Sequence, residues 1–176
     1  FDIRSSNYFN EVNTMINIKK ILWPTDFSDN SKTSQMYACE LAKQFSAELH
    51  IIHVIVDPAY IVSPMGVGYI PDSYQEDVRE RSDKELAGQL TDVGDLVVVR
   101  KTIDGAAAEG ITDYAKDNDI NMIVMGTHGY TGISRMLLGS VTEKVVRSAS
   151  CPVLTVHSDD HQFIEAERGE NETATE

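Results

Sequence analysis

The residues with the most chemistry lie between Met125 and Glu143, in the run Met-Gly-Thr-His-Gly-Tyr-Thr-Gly-Ile-Ser-Arg-Met-Leu-Leu-Gly-Ser-Val-Thr-Glu. Gly126, Gly129 and Gly132 permit close backbone approach and positive φ. Gly139 and Ser140 stand where a helix should start. A helix start offers N–H groups without intrahelical acceptors and the positive end of a dipole, which suits a phosphate. The Ser140 hydroxyl adds a donor. A second reading stays open: Ser140-Val-Thr-Glu143 also spells a capping box, and glycines after a strand can serve only to turn the chain. The run is not a Walker A loop, because no Lys-Ser or Lys-Thr follows the glycine, and it is not GxGxxG. Gly66 and Gly68 lack a third glycine and read as loop.

Asp26, within Pro24-Thr-Asp-Phe-Ser28, is the second candidate. A carboxylate there accepts hydrogen bonds from a ribose hydroxyl or an adenine amine; alternatively Asp26 or Ser28 caps the next helix. Of five histidines, His128 lies in the Gly-rich run, near a phosphate or as a plain loop residue. His157 and His161 are four apart, but His161 falls in an acidic tail, so no metal pair is read there. His50 and His53 belong to an apolar run. Cys39 and Cys151 form no CxxC pair and read as two reduced, part-buried thiols. Arg135 is the only basic residue between Gly126 and Glu143. Phosphoryl transfer needs a cationic clamp and an ordered base, so the loop argues against fast catalysis.

The elements that must position these residues alternate along the chain. Ile18–Pro24 reads as a strand stopped by proline, and Leu49–Val56 as a strand buried on both faces. Between them Tyr37, Leu41 and Phe45, with Ala38 and Ala42, mark the apolar face of a helix. The stretch 57–70 holds two prolines and two glycines and reads as a loop. A second helix opens at Pro71-Asp72, turns Val78, Leu86, Leu90 and Val93 inward, and ends at Gly94. Leu96–Ile103, Asn121–Met125 and Pro152–His157 are further strands, with helices over Ala106–Lys116 and Ser140–Ser148. This order predicts a single-domain α/β fold with parallel strands and helices on both faces. Its ligand site should lie beyond the carboxyl ends of the strands, after the first and fourth.

At 176 residues the chain suits one domain. A formal charge of −13 disfavours general binding to nucleic-acid backbones or anionic membranes, and leaves a small anionic ligand open. Seven acids against Arg168 between Ser158 and Glu176 read as a solvated, disordered tail. Residues 1–15 read as an N-terminal extension, leaving 16–157 as the folded unit. No apolar run reaches 18 residues and no signal peptide is visible, so a cytoplasmic location is expected.

The motifs together resemble the universal stress protein family, in its ATP-binding branch. That branch carries G-x2-G-x9-G-[S/T], matched here by Gly126, Gly129, Gly139 and Ser140. Ile21–Ser28, His53-Val54 and Cys151–Val156 are similar to the family too, so the resemblance spans Ile18 to His157. It implies a Rossmann-like, adenine nucleotide alpha-hydrolase-like sheet of five parallel strands in the order 3-2-1-4-5. It implies an adenine nucleotide, usually ATP, with Mg²⁺ or Mn²⁺ on its phosphates. Asp26 and Val54 would hold the adenine or ribose end, with Pro24 and Thr25 lining the pocket and Met125 and Gly126 under the ribose. Gly129, Gly139, Ser140 and Val141 would present donors to the phosphates, and His128 would stand nearby. The resemblance also implies a homodimer through the edge strand Pro152–Val156. The expected function is a regulatory nucleotide-binding module of the stress response. The alternatives are a slow ATPase or autophosphorylating protein, with Ser140 or a loop threonine as acceptor, and a nucleotide-free protein acting through protein contacts.

Overall fold

Ile21, Leu22 and Trp23 are consecutive and almost wholly buried, which a strand achieves only with cover on both faces. In the computed structural model, which describes residues 16–56, 72–127 and 138–157, they form the centre of β1 (Lys20–Pro24). There follow α1 (Asp29–Phe45), β2 (Glu48–Ile55), α2 (Asp72–Ala87), β3 (Val98–Asp104), α3 (Ala107–Asp117), β4 (Met122–Gly126), α4 (Ser140–Ser148) and β5 (Val153–Val156). The five strands are parallel in the order β3-β2-β1-β4-β5, as expected. The chain winds from β1 to one edge, then crosses to β4 on the other side. The carboxyl ends of β1 and β4 therefore flank the switch in strand order.

The core is two layers divided by the sheet. Ile21, Trp23, Leu49, Ile51 and Val124 pack with Ala38 and Ala42 of α1 and Leu86 of α2. Leu22, Ile52, Ile123 and Met125 pack on the other face with Ala108, Ile111 and Ala115 of α3 and Val145 of α4. Alternation along each strand sends neighbours to opposite layers. The side of α1 against the sheet is built of small residues: Ser34, Ala38 and Ala42 are fully buried. Tyr37 and Leu41 pack around them as expected, but Phe45, at the helix's last residue, is 41% exposed and does not join the core.

The largest departure from the expected elements is the end of α2, which stops at Ala87 and not at Gly94. The cause is tertiary. The Arg100 guanidinium of β3 donates to the carbonyl of Gln89 at 2.7 and 3.1 Å and to that of Leu90 at 2.7 Å. Leu90 takes a left-handed φ of 49°. A cation on carbonyls just past a helix end supplies the partners those groups lack. Leu90 still packs on the core, from a turn and not from a helix face. The predicted loop at 57–70, with Gly66 and Gly68, lies outside the described residues, as do residues 1–15 and the acidic tail 158–176.

Candidate functional site

The cleft begins with the turn after β1. Thr25 is buried; its N–H donates to the Ile52 carbonyl at 2.9 Å, extending the β1–β2 pairing past Pro24. Its hydroxyl lies 3.1 Å from the Ser31 hydroxyl and accepts from the Phe27 N–H at 3.0 Å. Asp26 is exposed, and its Oδ1 accepts from the Ser28 N–H at 3.1 Å and the Ser28 hydroxyl at 2.6 Å. This is an Asx turn, and it resolves the helix-cap alternative. Ser28 occupies the N-cap of α1 with no capping bond from its side chain, because its hydroxyl is turned back onto Asp26. Phe27 is held at φ 63°, a left-handed conformation that costs a residue with a Cβ about 1–2 kcal/mol.

The opposite wall is the start of α4. The Gly139 N–H donates to the Thr127 carbonyl at 2.8 Å, and the buried Thr142 hydroxyl donates to the Gly126 carbonyl at 3.0 Å. These two bonds fix the helix start to the end of β4. Gly139 is the N-cap and Ser140 the first helical residue, with no capping bond from a side chain. The capping box is therefore absent: a box needs serine at the N-cap, and Ser140 stands one position later. Glu143 instead pairs with Arg147 at 2.9 Å, and its N–H goes to the Gly139 carbonyl at 2.9 Å. The N–H groups of Ser140, Val141 and Thr142 are the first-turn donors, which no intrahelical carbonyl can reach.

These walls enclose a cleft of about 300 Å³ at the carboxyl edge of the sheet. Of the residues picked from the sequence, Pro24, Thr25, Asp26, Val54, Met125, Gly126, Gly139, Ser140 and Val141 all line it. His128 and Gly129 lie outside the described residues. The sequence reading missed Ser31, Ile52, His53, Val56, Ala107, Ile111 and Thr142 on the lining. His53 carried a signal, being an ionisable ring next to Val54; Ala107 and Ile111 carried none, since only the packing of α3 brings them there. Among the described residues no group of three or more His, Cys, Asp or Glu side chains is placed to hold a metal ion. Cys39 and Cys151 are both free thiols, and burial raises the pKa of each. Among the described residues no helix is long and apolar enough to cross a membrane.

The chain is a doubly wound parallel α/β protein with a cleft at its switch point, walled by a carboxylate turn and a helix start, the place where sheets of this class take their ligands. The universal stress protein family model matches residues 17–157, and the chain belongs to that family. It is 34% identical over 140 residues to the universal stress protein MJ0531 of Methanocaldococcus jannaschii, covering 78% of this chain and 81% of that one. The solved structure of the hypothetical protein MJ0577 matches with a TM-score of 0.65 at 27% identity, covering 83% of this chain and all of the other. A universal stress protein solved in complex with cAMP matches with a TM-score of 0.52 at 25% identity, over 80% of this chain and 98% of that one.

Proposed function

We propose that this protein is a cytoplasmic ATP-binding module of the stress response, regulatory and not catalytic, working as a homodimer. The observation that carries the reading is the pairing of two unlike walls in one cleft. One wall is the first turn of α4, whose N–H groups have no intrahelical acceptor and suit phosphate oxygens. The other is Asp26 with the backbone of β2 at Val54, which suits the hydroxyls and amine of a nucleoside. A cyclic adenine nucleotide in a relative of the same fold agrees with a nucleoside-phosphate ligand. Gly129 is assigned to the phosphate end by the family motif alone, and His128 stands next to it in sequence with no role of its own.

A divalent cation would enter this site on the ligand's phosphates. The described residues offer no cluster of carboxylates or imidazoles for it, and a chain of charge −13 repels a bare triphosphate. Mg²⁺ or Mn²⁺ held on the phosphates lowers that repulsion; the chain's own part is to supply N–H and hydroxyl donors and exclude water. With ATP in large excess over Kd, occupancy hardly varies, and the gain of RT ln(1 + [L]/Kd) becomes a constant. Regulation then needs exchange, hydrolysis or modification as its input.

The test is direct. Protein freshly purified and acid-precipitated should release ATP, identified by chromatography and mass spectrometry, and should bind Mg-ATP by titration calorimetry. Ser140→Pro removes one N–H and one hydroxyl at the first helical position, where proline is tolerated; Gly139, at φ −58° and ψ 148°, already has the backbone a residue before proline requires. Affinity should fall at least tenfold in a variant that still folds, since bonds to charged groups are worth about 1.5–3 kcal/mol. Released ADP would shift the reading to the slow ATPase. Absence of nucleotide and of binding at millimolar Mg-ATP would overturn it in favour of a protein acting through protein contacts.

A further inference from the structure

His53 is a half-buried ring on β2 that lines the cleft and has no part in the reading above. Its Nδ1 lies 2.9 Å from the Thr25 carbonyl oxygen. A carbonyl only accepts, so Nδ1 carries the hydrogen, and in the neutral ring Nε2 is a bare acceptor. The same ring stacks on Phe27, with centroids 4.3 Å apart and planes 28° from parallel. His53 therefore grips the turn on both sides of Asp26: the backbone of the residue before it and the side chain of the residue after it. Phe27 holds its left-handed φ of 63° in this grip, a conformation that persists only where the surroundings over-determine it. The Ser28 bonds to Asp26 Oδ1 then set the direction of the carboxylate within a turn already fixed in place.

We propose that His53 is a positioning residue for the nucleoside end of the ligand, clamping the turn that carries Asp26 to the strand that carries Val54. The inference rests on the nucleotide reading and deepens it. Both polar groups of the nucleoside wall belong to segments that His53 joins. The start of α4 is tied separately, to Gly126 and Thr127. The clamp therefore acts on recognition of the nucleoside and not of the phosphates.

Two substitutions of similar size separate this role from a general contribution to folding. The side-chain N–H of His53→Asn reaches about the position of Nδ1; that of His53→Gln reaches about the position of Nε2. Calorimetric titrations with ATP, adenosine and inorganic tripolyphosphate, alongside thermal melts, read out the two ends of the ligand separately. His53→Gln loses both the hydrogen bond and the stacking and should weaken adenosine and ATP about tenfold or more, leaving tripolyphosphate unchanged; His53→Asn keeps the bond, loses only the stacking, and should weaken adenosine and ATP several-fold less than His53→Gln does. Long-range ¹⁵N–¹H NMR of the unsubstituted protein should show His53 as the Nδ1–H tautomer, a readout that needs no ligand and stands even where a variant fails to fold. Equal adenosine affinity in the two variants, parallel loss of adenosine and tripolyphosphate, or an Nε2–H tautomer would each overturn the clamp. Failure of the unsubstituted protein to bind adenosine or ATP is a different result: it overturns the nucleotide reading itself and the clamp's purpose with it.

Discussion

His50, on β2 at the end of the sheet away from the cleft, is 4% exposed and is the one buried imidazole among the described residues. Its Nδ1 meets the Tyr114 hydroxyl of α3 at 2.8 Å. Its Nε2 makes no hydrogen bond, with Glu48 Oε1 standing 3.5 Å off. Burial holds the ring's pKa below its ordinary 6.5; Glu48 opposes that shift and Lys20 of β1 adds to it. Lys101 of β3 sits over the Tyr114 ring, 5.9 Å from its centroid, and brings a further positive charge to the same cluster. A histidine that stays neutral when folded and takes a proton when unfolded makes the unfolded state the better proton binder. Stability from this group is full above about pH 6.5 and is lost as the pH falls toward the lowered folded value. Thermal melts from pH 7.5 down to 5 should show a falling midpoint, and His50→Gln should flatten that slope while lowering the midpoint at pH 7.5. A slope unchanged by the substitution would assign the acid sensitivity elsewhere.

A few polar bonds tie elements together beside the apolar layers, and losing one is costly where it is buried. The Trp23 indole N–H donates to the Ser34 hydroxyl at 3.1 Å, tying β1 to α1 where both residues are almost wholly buried. Ser34→Ala strands a buried N–H and should destabilise by about 1–3 kcal/mol. Trp23 is the chain's only tryptophan, so urea unfolding followed by its fluorescence measures the loss at the bond itself. Trp23 also immediately precedes Pro24 of the cleft, and its emission is expected to respond to ligand. The α4 start shows the same construction through Thr142, and the α2 end through Arg100.

For the whole molecule, the sheet ends in two edges, β3 and β5. An edge strand with unpaired backbone groups invites pairing with a second copy unless something blunts it. Leu154, mid-strand on β5, is 37% exposed, and Val146 of α4 is 49% exposed. The proposed homodimer through Pro152–Val156 would cover such groups. Sedimentation velocity should find a dimer at micromolar concentration, and Leu154→Lys, a residue type that protects natural edges, should shift it to monomer with the circular dichroism unchanged. A monomeric unsubstituted protein would end the edge-pairing proposal.

The order of elements was legible in the sequence because buried parallel strands are runs of apolar residues and amphipathic helices repeat every 3.6. Both are local patterns. The glycine and serine spacing marked the cleft for the same reason, since the end of β4 at Gly126 and the start of α4 at Gly139 are close in sequence. Other features depended on which polar groups actually met. Arg100 of β3 holds the carbonyls past the end of α2 from ten and eleven residues on, against a local pattern that ran on to Val93. Ser28 turned onto Asp26 and left the α1 N-cap unused. Ser140 fell one position past its capping box because Gly139 was anchored to Thr127. His53 became part of the cleft because β2 lies beside β1, which brings residue 53 to the carbonyl of residue 25. Composition and periodicity fix which segments fold and which face is buried. Which polar groups meet is decided only when the sheet assembles, because a hydrogen bond depends on ångström-scale placement that no one-dimensional pattern carries.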